Sequence, residues 1–160
     1  MPQRVYIESS IISNLTARHA MREYDKLMQE TTRAWWEQIA PTCQLFYSET
    51  VEFEIARGDK SAAVKRLTVL DGMSKLPTTP EIHALAADFI RASALPHKSL
   101  EDALHIATAT IHKLDLLLSW NCKHIVNAYS LPIVWQVCTA HGLKCPIIAT
   151  PLQALEQHNV

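Results

Sequence analysis

Glycine is scarce in this chain of 160 residues: Gly58, Gly72 and Gly142 are its three, too widely spaced to build G-x-G-x-x-G, G-x-x-x-x-G-K-S/T or G-x-S-x-G. A dinucleotide-binding turn, a phosphate-binding P-loop and a nucleophile elbow are thereby excluded. The four cysteines, Cys43, Cys122, Cys138 and Cys145, include no C-x-x-C pair, and without a secretory context they are expected as free thiols. No apolar run approaches the roughly 18 residues of a membrane span. The polar Glu8-Ser9-Ser10 interrupts the amino-terminal segment before a signal-type apolar region develops, so the expectation is a cytoplasmic protein with no membrane partner. Excess charge is also missing. Fifteen Lys and Arg oppose sixteen Asp and Glu, a formal net charge of -1, so no global positive field would hold nucleic acid nonspecifically and such a partner would have to be met locally. What remains, 48% hydrophobic and 19% charged residues, is the composition of a globular protein, and the length predicts a single domain over residues 1–160.

Short β-type runs alternate with longer helical patterns, which predicts an α/β fold with a parallel sheet covered by helices. Strands are expected at Arg4 to Ile7, Gln44 to Tyr47, Ser74 to Leu76, Leu116 to Leu118 and Ile147-Ile148. The unbroken Leu116-Leu117-Leu118 suits a central strand covered on both faces. Apolar spacings of three and four predict a helix through Tyr24, Leu27, Met28, Thr31, Ala34 and Trp35, and another through Ile82, Leu85, Ala86, Phe89 and Ile90. Ser48 is placed to cap a helix reaching toward Gly58, Asp59 to open the next, and Ser99 to cap one carrying Asp102 to Ala109. Ser130 and Pro132 start a helix closed by Gly142, and Pro151 to Leu155 forms a short terminal one.

In an open parallel sheet, ligands bind beyond the carboxyl ends of the strands. Glu8 follows the first strand, and Ser119, Trp120 and Asn121 follow Leu116 to Leu118, so these groups are expected on one side. Asp115 precedes its strand and, at about 3.3 Å per residue, falls at the opposite edge. Asp102 lies in a first helical turn and Glu54 in mid-helix with Glu49 and Glu52, among which periodicity does not choose. Carboxylates gathered in one crevice repel by about 1–4 kcal/mol per pair at about 4 Å, so they take up protons or bind cations, and oxygen ligands suit Mg²⁺ or Mn²⁺. Structural roles compete: Glu8 as a helix start, Asp102 as compensation of the helix dipole, His105 as a satisfied core histidine, Trp35-Trp36 as packing. Cys122 and His124 leave a zinc site open.

Several blocks together resemble the PIN-domain family, and more closely the VapC-like toxins of type II toxin–antitoxin systems. Val5-Tyr6-Ile7-Glu8-Ser9-Ser10 is similar to the opening strand and turn, usually ending in Asp-Thr-Ser or Glu-Thr-Ser. Ser48 to Asp59 resembles the second block, and this match selects Glu54 over Glu49 and Glu52. Asp102-Ala103-Leu104-His105-Ile106-Ala107 is similar to the family's Asp-Ala-Leu-His-Ile-Ala helix, Leu116 to Asn127 to the strand and turn after it, and Ile148-Ala149-Thr150-Pro151 to the closing strand.

The resemblance implies a three-layer α/β/α fold with a central, mostly parallel sheet. It also implies an Mg²⁺- or Mn²⁺-dependent ribonuclease whose products carry a 5′-phosphate and a 3′-hydroxyl. Glu8, Glu54 and Asp102 fall on the acidic metal positions, and Asn121 falls near a fourth acid, where it would position water or phosphate. Glu8 is one methylene longer than the commoner Asp, and Asn121 contributes no negative charge, so a second metal would be held more weakly. Arg57, Lys60, Lys98, Lys123 and His124 are local positive groups for RNA. A homodimer and a cognate antitoxin are the implied partners. The alternative is a PIN-like RNA- or protein-binding module with weakened or no nuclease activity.

Overall fold

Val5, Tyr6 and Ile7 are buried without alternation, as are all three residues of Leu116–Leu118, and such runs belong at the centre of a parallel sheet. In the computed structural model, which describes residues 1–158, they form the neighbouring strands β1 (Arg4–Ile7) and β4 (Leu116–Leu118). Asn159 and Val160, the last residues of the expected 1–160 unit, lie outside the described residues. Strands β2 (Gln44–Ser48), β3 (Ser74–Leu76) and β5 (Ile147–Ala149) complete a five-stranded sheet of order β3-β2-β1-β4-β5. All four pairings are parallel, so the sheet expected to be mostly parallel is wholly so. Val5 pairs with Leu116 and Ile7 with Leu118, which brings Glu8 level with Ser119.

Right-handed crossovers decide the layers. From β1 the chain steps through β2 to β3 by way of α1 (Ser9–Thr16), α2 (Glu23–Gln38), α3 (Glu49–Ile55) and α4 (Lys60–Val69) on one face. It then crosses to β4 and β5 by way of α5 (Pro80–Arg91), α6 (Leu100–Ile111) and α7 (Leu131–Ala140) on the other. α8 (Pro151–His158) returns to pack on α2, while α5 packs on both α6 and α7. The result is a three-layer α/β/α fold around one core that includes Trp35, Phe89, Ile106 and Leu117. No helix among the described residues is long and apolar enough to cross a membrane. The four cysteines are free.

Local chemistry sets the helix ends near the crevice. Ser48 Oγ accepts from Val51 N at 3.4 Å to start α3, and Asp59 Oδ2 accepts from Ala62 N at 2.9 Å to start α4. Between them Gly58 adopts φ +86°, a left-handed turn that glycine makes without a Cβ clash. Ser99 stands at the head of α6 as expected, but its hydroxyl makes no capping bond and lies 3.3 Å from His124 Nδ1 instead. Glu101 and Asp102 already occupy the first turn of α6 and complement its dipole. α1 is an element the apolar spacing did not delineate; Glu8 starts it.

Candidate active site

Glu8 lies at the carboxyl end of β1, where strand order reverses direction and the crevice of an open α/β sheet forms. Its backbone N–H continues the ladder to Leu118 O at 3.1 Å, while its side chain caps α1, Oε2 accepting from Ser10 N at 2.9 Å. The Ser10 hydroxyl donates to the same oxygen, and Ser119 Oγ, arriving from β4, donates to it at 2.9 Å. Glu8 is 5% exposed. Helix capping and a functional carboxylate are therefore not alternatives here: one oxygen carries every bond, and no donor among the described residues reaches Oε1.

Glu54 approaches from α3. Its Oε1 accepts from Ser9 Oγ at 2.7 Å and pairs with His105 Nε2 at 2.5 Å. Burial acts to raise the Glu54 pKa, yet the hydrogen bond and charge of His105, together with the Ser9 hydroxyl, outweigh it and hold the carboxyl below its ordinary range. His105 is fully buried, and burial opposes its protonation. The Glu54 hydrogen bond and the charges of Glu8, Glu54 and Asp102 overcome that and raise its pKa. Its Nδ1 lies 2.6 Å from the Tyr6 hydroxyl, which lies 2.7 Å from Ser48 Oγ. Among the described residues, Glu8, Glu54 and His105 form the one group of three metal-capable side chains whose ligand atoms all lie within 4.8 Å of one another.

Asp102 stands outside that group and forms a second cluster. Asn121 Nδ2 donates to Asp102 Oδ1 at 3.1 Å, and His124 Nδ1 lies 3.0 Å from Oδ2. Asn121 Oδ1 accepts from His124 N at 3.0 Å, and Asn121 N donates to Ser119 Oγ at 2.9 Å. A continuous chain, Asp102 to Asn121 to Ser119 to Glu8, thus joins the two clusters. Asp115 accepts from Arg4 N at 2.7 Å at the amino edge of the sheet, away from all of these. Cys122 and His124 gather no third metal-capable group among the described residues, and Trp35 is 1% exposed, a core residue.

The donor set fits a hard divalent cation. Two carboxylates converge in a largely enclosed place, and like charges so close are relieved by a cation. Each keeps one oxygen to which no hydroxyl, amide or cation donates, no Lys or Arg pairs with either, and the Glu101 carboxyl stands beside Glu54 as a third acid. At the rim, Arg57 reaches from the turn after α3 to Glu101 on α6 at 2.8 Å and lies 4.7 Å from the centre of the Phe53 ring. His105, Tyr6 and Ser9 are the site residues that the sequence reading did not place there, and His124, read as a group for RNA or zinc, stands against Asp102. The Asp102-x-x-His105 spacing, one helical face, and the shared strand face of Tyr6 and Glu8 were the available signals.

No curated protein sequence matches the chain. Among solved structures, VapBC2 from Rickettsia felis, bound to a DNA fragment from its promoter, superposes with a TM-score of 0.60 at 11% identity over 92% of this chain and 98% of that one. VapC20 of Mycobacterium tuberculosis, a sarcin–ricin-loop-cleaving toxin, gives 0.56 at 14% identity over 75% and 92%. VapBC-1 from nontypeable Haemophilus influenzae gives 0.55 at 14% identity over 94% and 99%. At these identities the likeness is one of fold. The PIN domain model matches residues 5–121, a span that runs from β1 to Asn121 and takes in Glu8, Glu54 and Asp102, and by that match the chain belongs to the PIN domain family.

Proposed function

We propose that this PIN protein is an Mg²⁺- or Mn²⁺-dependent ribonuclease, acting as one unit over residues 1–160 in the cytoplasm, and the toxin of a toxin–antitoxin pair. The observation that carries the reading is the convergence of Glu8 and Glu54, each with one carboxylate oxygen to which no hydroxyl, amide or cation donates. A divalent cation bound there supplies charge neutralisation on the scissile phosphate and activation of water, which phosphodiester hydrolysis requires.

The chain's own residues do the holding. Ser10 and Ser119 fix Glu8, Ser9 and His105 fix Glu54, and Asn121 and His124 fix Asp102, which Asn121 and Ser119 link to Glu8. Asn121 keeps one amide N–H beyond the bond to Asp102, available to water or phosphate. Arg57 is a cation at the mouth of an acidic crevice, and an RNA phosphate would compete with Glu101 for it. A small antitoxin covering the crevice, supported by the shared fold with the VapBC structures, and a homodimer complete the reading.

Metal-stripped protein incubated with total RNA, with Mn²⁺ or Mg²⁺ added back and Asp102→Asn as control, tests it. The expected result is cleavage that needs both the metal and Asp102, with 5′-phosphate ends. A folded protein that cuts nothing at any metal concentration, yet retains RNA, would instead establish a binding module.

A further inference from the structure

His105 belongs to the metal-capable group by distance, yet both its ring nitrogens already have partners: Tyr6 Oη at 2.6 Å on Nδ1 and Glu54 Oε1 at 2.5 Å on Nε2. Hydrogen-bond direction limits what the ring can do. With the neutral ring protonated on Nε2, the donors run in one sense: Ser48 Oγ–H to Tyr6 Oη, Tyr6 Oη–H to Nδ1, Nε2–H to Glu54. In the imidazolium the Tyr6 and Ser48 links reverse, and Nε2–H still donates to Glu54. Only the tautomer protonated on Nδ1 frees the Nε2 lone pair, and that state sets it against a carboxylate oxygen.

We propose that His105 is a positioning residue and not a metal ligand: backed by Tyr6 and Ser48, it holds one oxygen of Glu54 so that the other serves the cation. The inference rests on the ribonuclease reading of the site. The relay begins and ends at α3, because Ser48, the last residue of β2, caps the helix that carries Glu54. A displacement of α3 therefore strains both ends of the chain of bonds, which makes the carboxylate's place a property of the sheet and of α6. Ser9 fixes the same oxygen from α1. Outer-shell partners of this kind typically govern metal affinity by about 10- to 100-fold.

The deciding experiment loads metal-free protein with Mn²⁺ and reads both its affinity by calorimetry and the ¹⁴N couplings in the pulsed EPR spectrum. Wild type is expected to bind Mn²⁺ with no directly coordinated imidazole nitrogen. Substitution His105→Leu should weaken binding by about 10- to 100-fold. His105→Gln, whose amide N–H reaches the place of Nε2–H, should recover most of that loss, whereas His105→Asn, whose amide lies toward Tyr6, should not. A strong ¹⁴N coupling in wild type that disappears in His105→Gln would overturn the inference, as would Gln and Leu variants that are equally weak. Should the Leu variant fail to fold, the wild-type spectrum and the Gln variant still decide. Folded wild-type protein that binds no Mn²⁺ would remove the metal reading itself, and this inference with it.

Discussion

The Tyr6 hydroxyl has no contact with solvent and sits between Ser48 and His105. Burial raises its pKa well above the ordinary phenol value, against the opposing effect of the Ser48 hydrogen bond, so it stays a hydroxyl. Tyr6→Phe keeps the ring and its packing but leaves two buried polar atoms short of a partner. A loss of about 1–3 kcal/mol is expected, measured as a lower denaturation midpoint with an unchanged m-value. Sequence periodicity could not separate Glu49, Glu52 and Glu54. The structure sets Glu52 against Lys75 at 3.0 Å and Glu54 against Ser9 and His105. What distinguishes them is the partner, and the partner of Glu54 lies 51 residues away, beyond the reach of periodicity, so only the resemblance of the Ser48 to Asp59 block pointed to Glu54. His105 itself read correctly as a satisfied core histidine; that its satisfaction comes from a crevice carboxylate is tertiary information.

Helix caps separate two residues that look alike in sequence. Asp59 bonds Ala62 N, whereas Ser99 heads α6 without bonding its backbone and faces His124 and its neighbour Asp102 instead. Asp59→Ala should therefore cost about 0.5–2 kcal/mol, while Ser99→Ala should cost much less, a contrast readable in paired urea melts. The strands were legible as short β-type runs between helical patterns, with β4 apolar throughout, and most helices because their apolar residues follow spacings of three and four. α1 was not: its eight residues include three serines and one asparagine, and its start depends on Glu8 turning back to Ser10 N.

The molecule as a whole stores a local excess of negative charge at the carboxyl edge of its sheet although its net charge is only -1. Binding a cation there links to folding. At a Mn²⁺ concentration about 100 times the dissociation constant, stability should rise by about 2.7 kcal/mol, which for a chain of this size raises Tm by about 5–10 °C. Glu8→Gln should abolish that rise in a thermal scan with and without Mn²⁺, while the metal-free Tm moves far less, since the amide can still accept from Ser10 and Ser119.

The hydrogen bond from Ser119 to Glu8 spans 111 residues, and Asp102 with its partners Asn121 and His124 belongs to the later part of the chain. Domains form as their chain emerges from the ribosome, and non-local parallel pairings are late and slow to close. The crevice therefore does not exist on a nascent chain until β4 and the loop through His124 have left the exit tunnel. Synthesis itself thus delays assembly of the crevice, and on the ribonuclease reading proposed above the ribosome and message that make the protein are spared while the residues up to His124 are being translated.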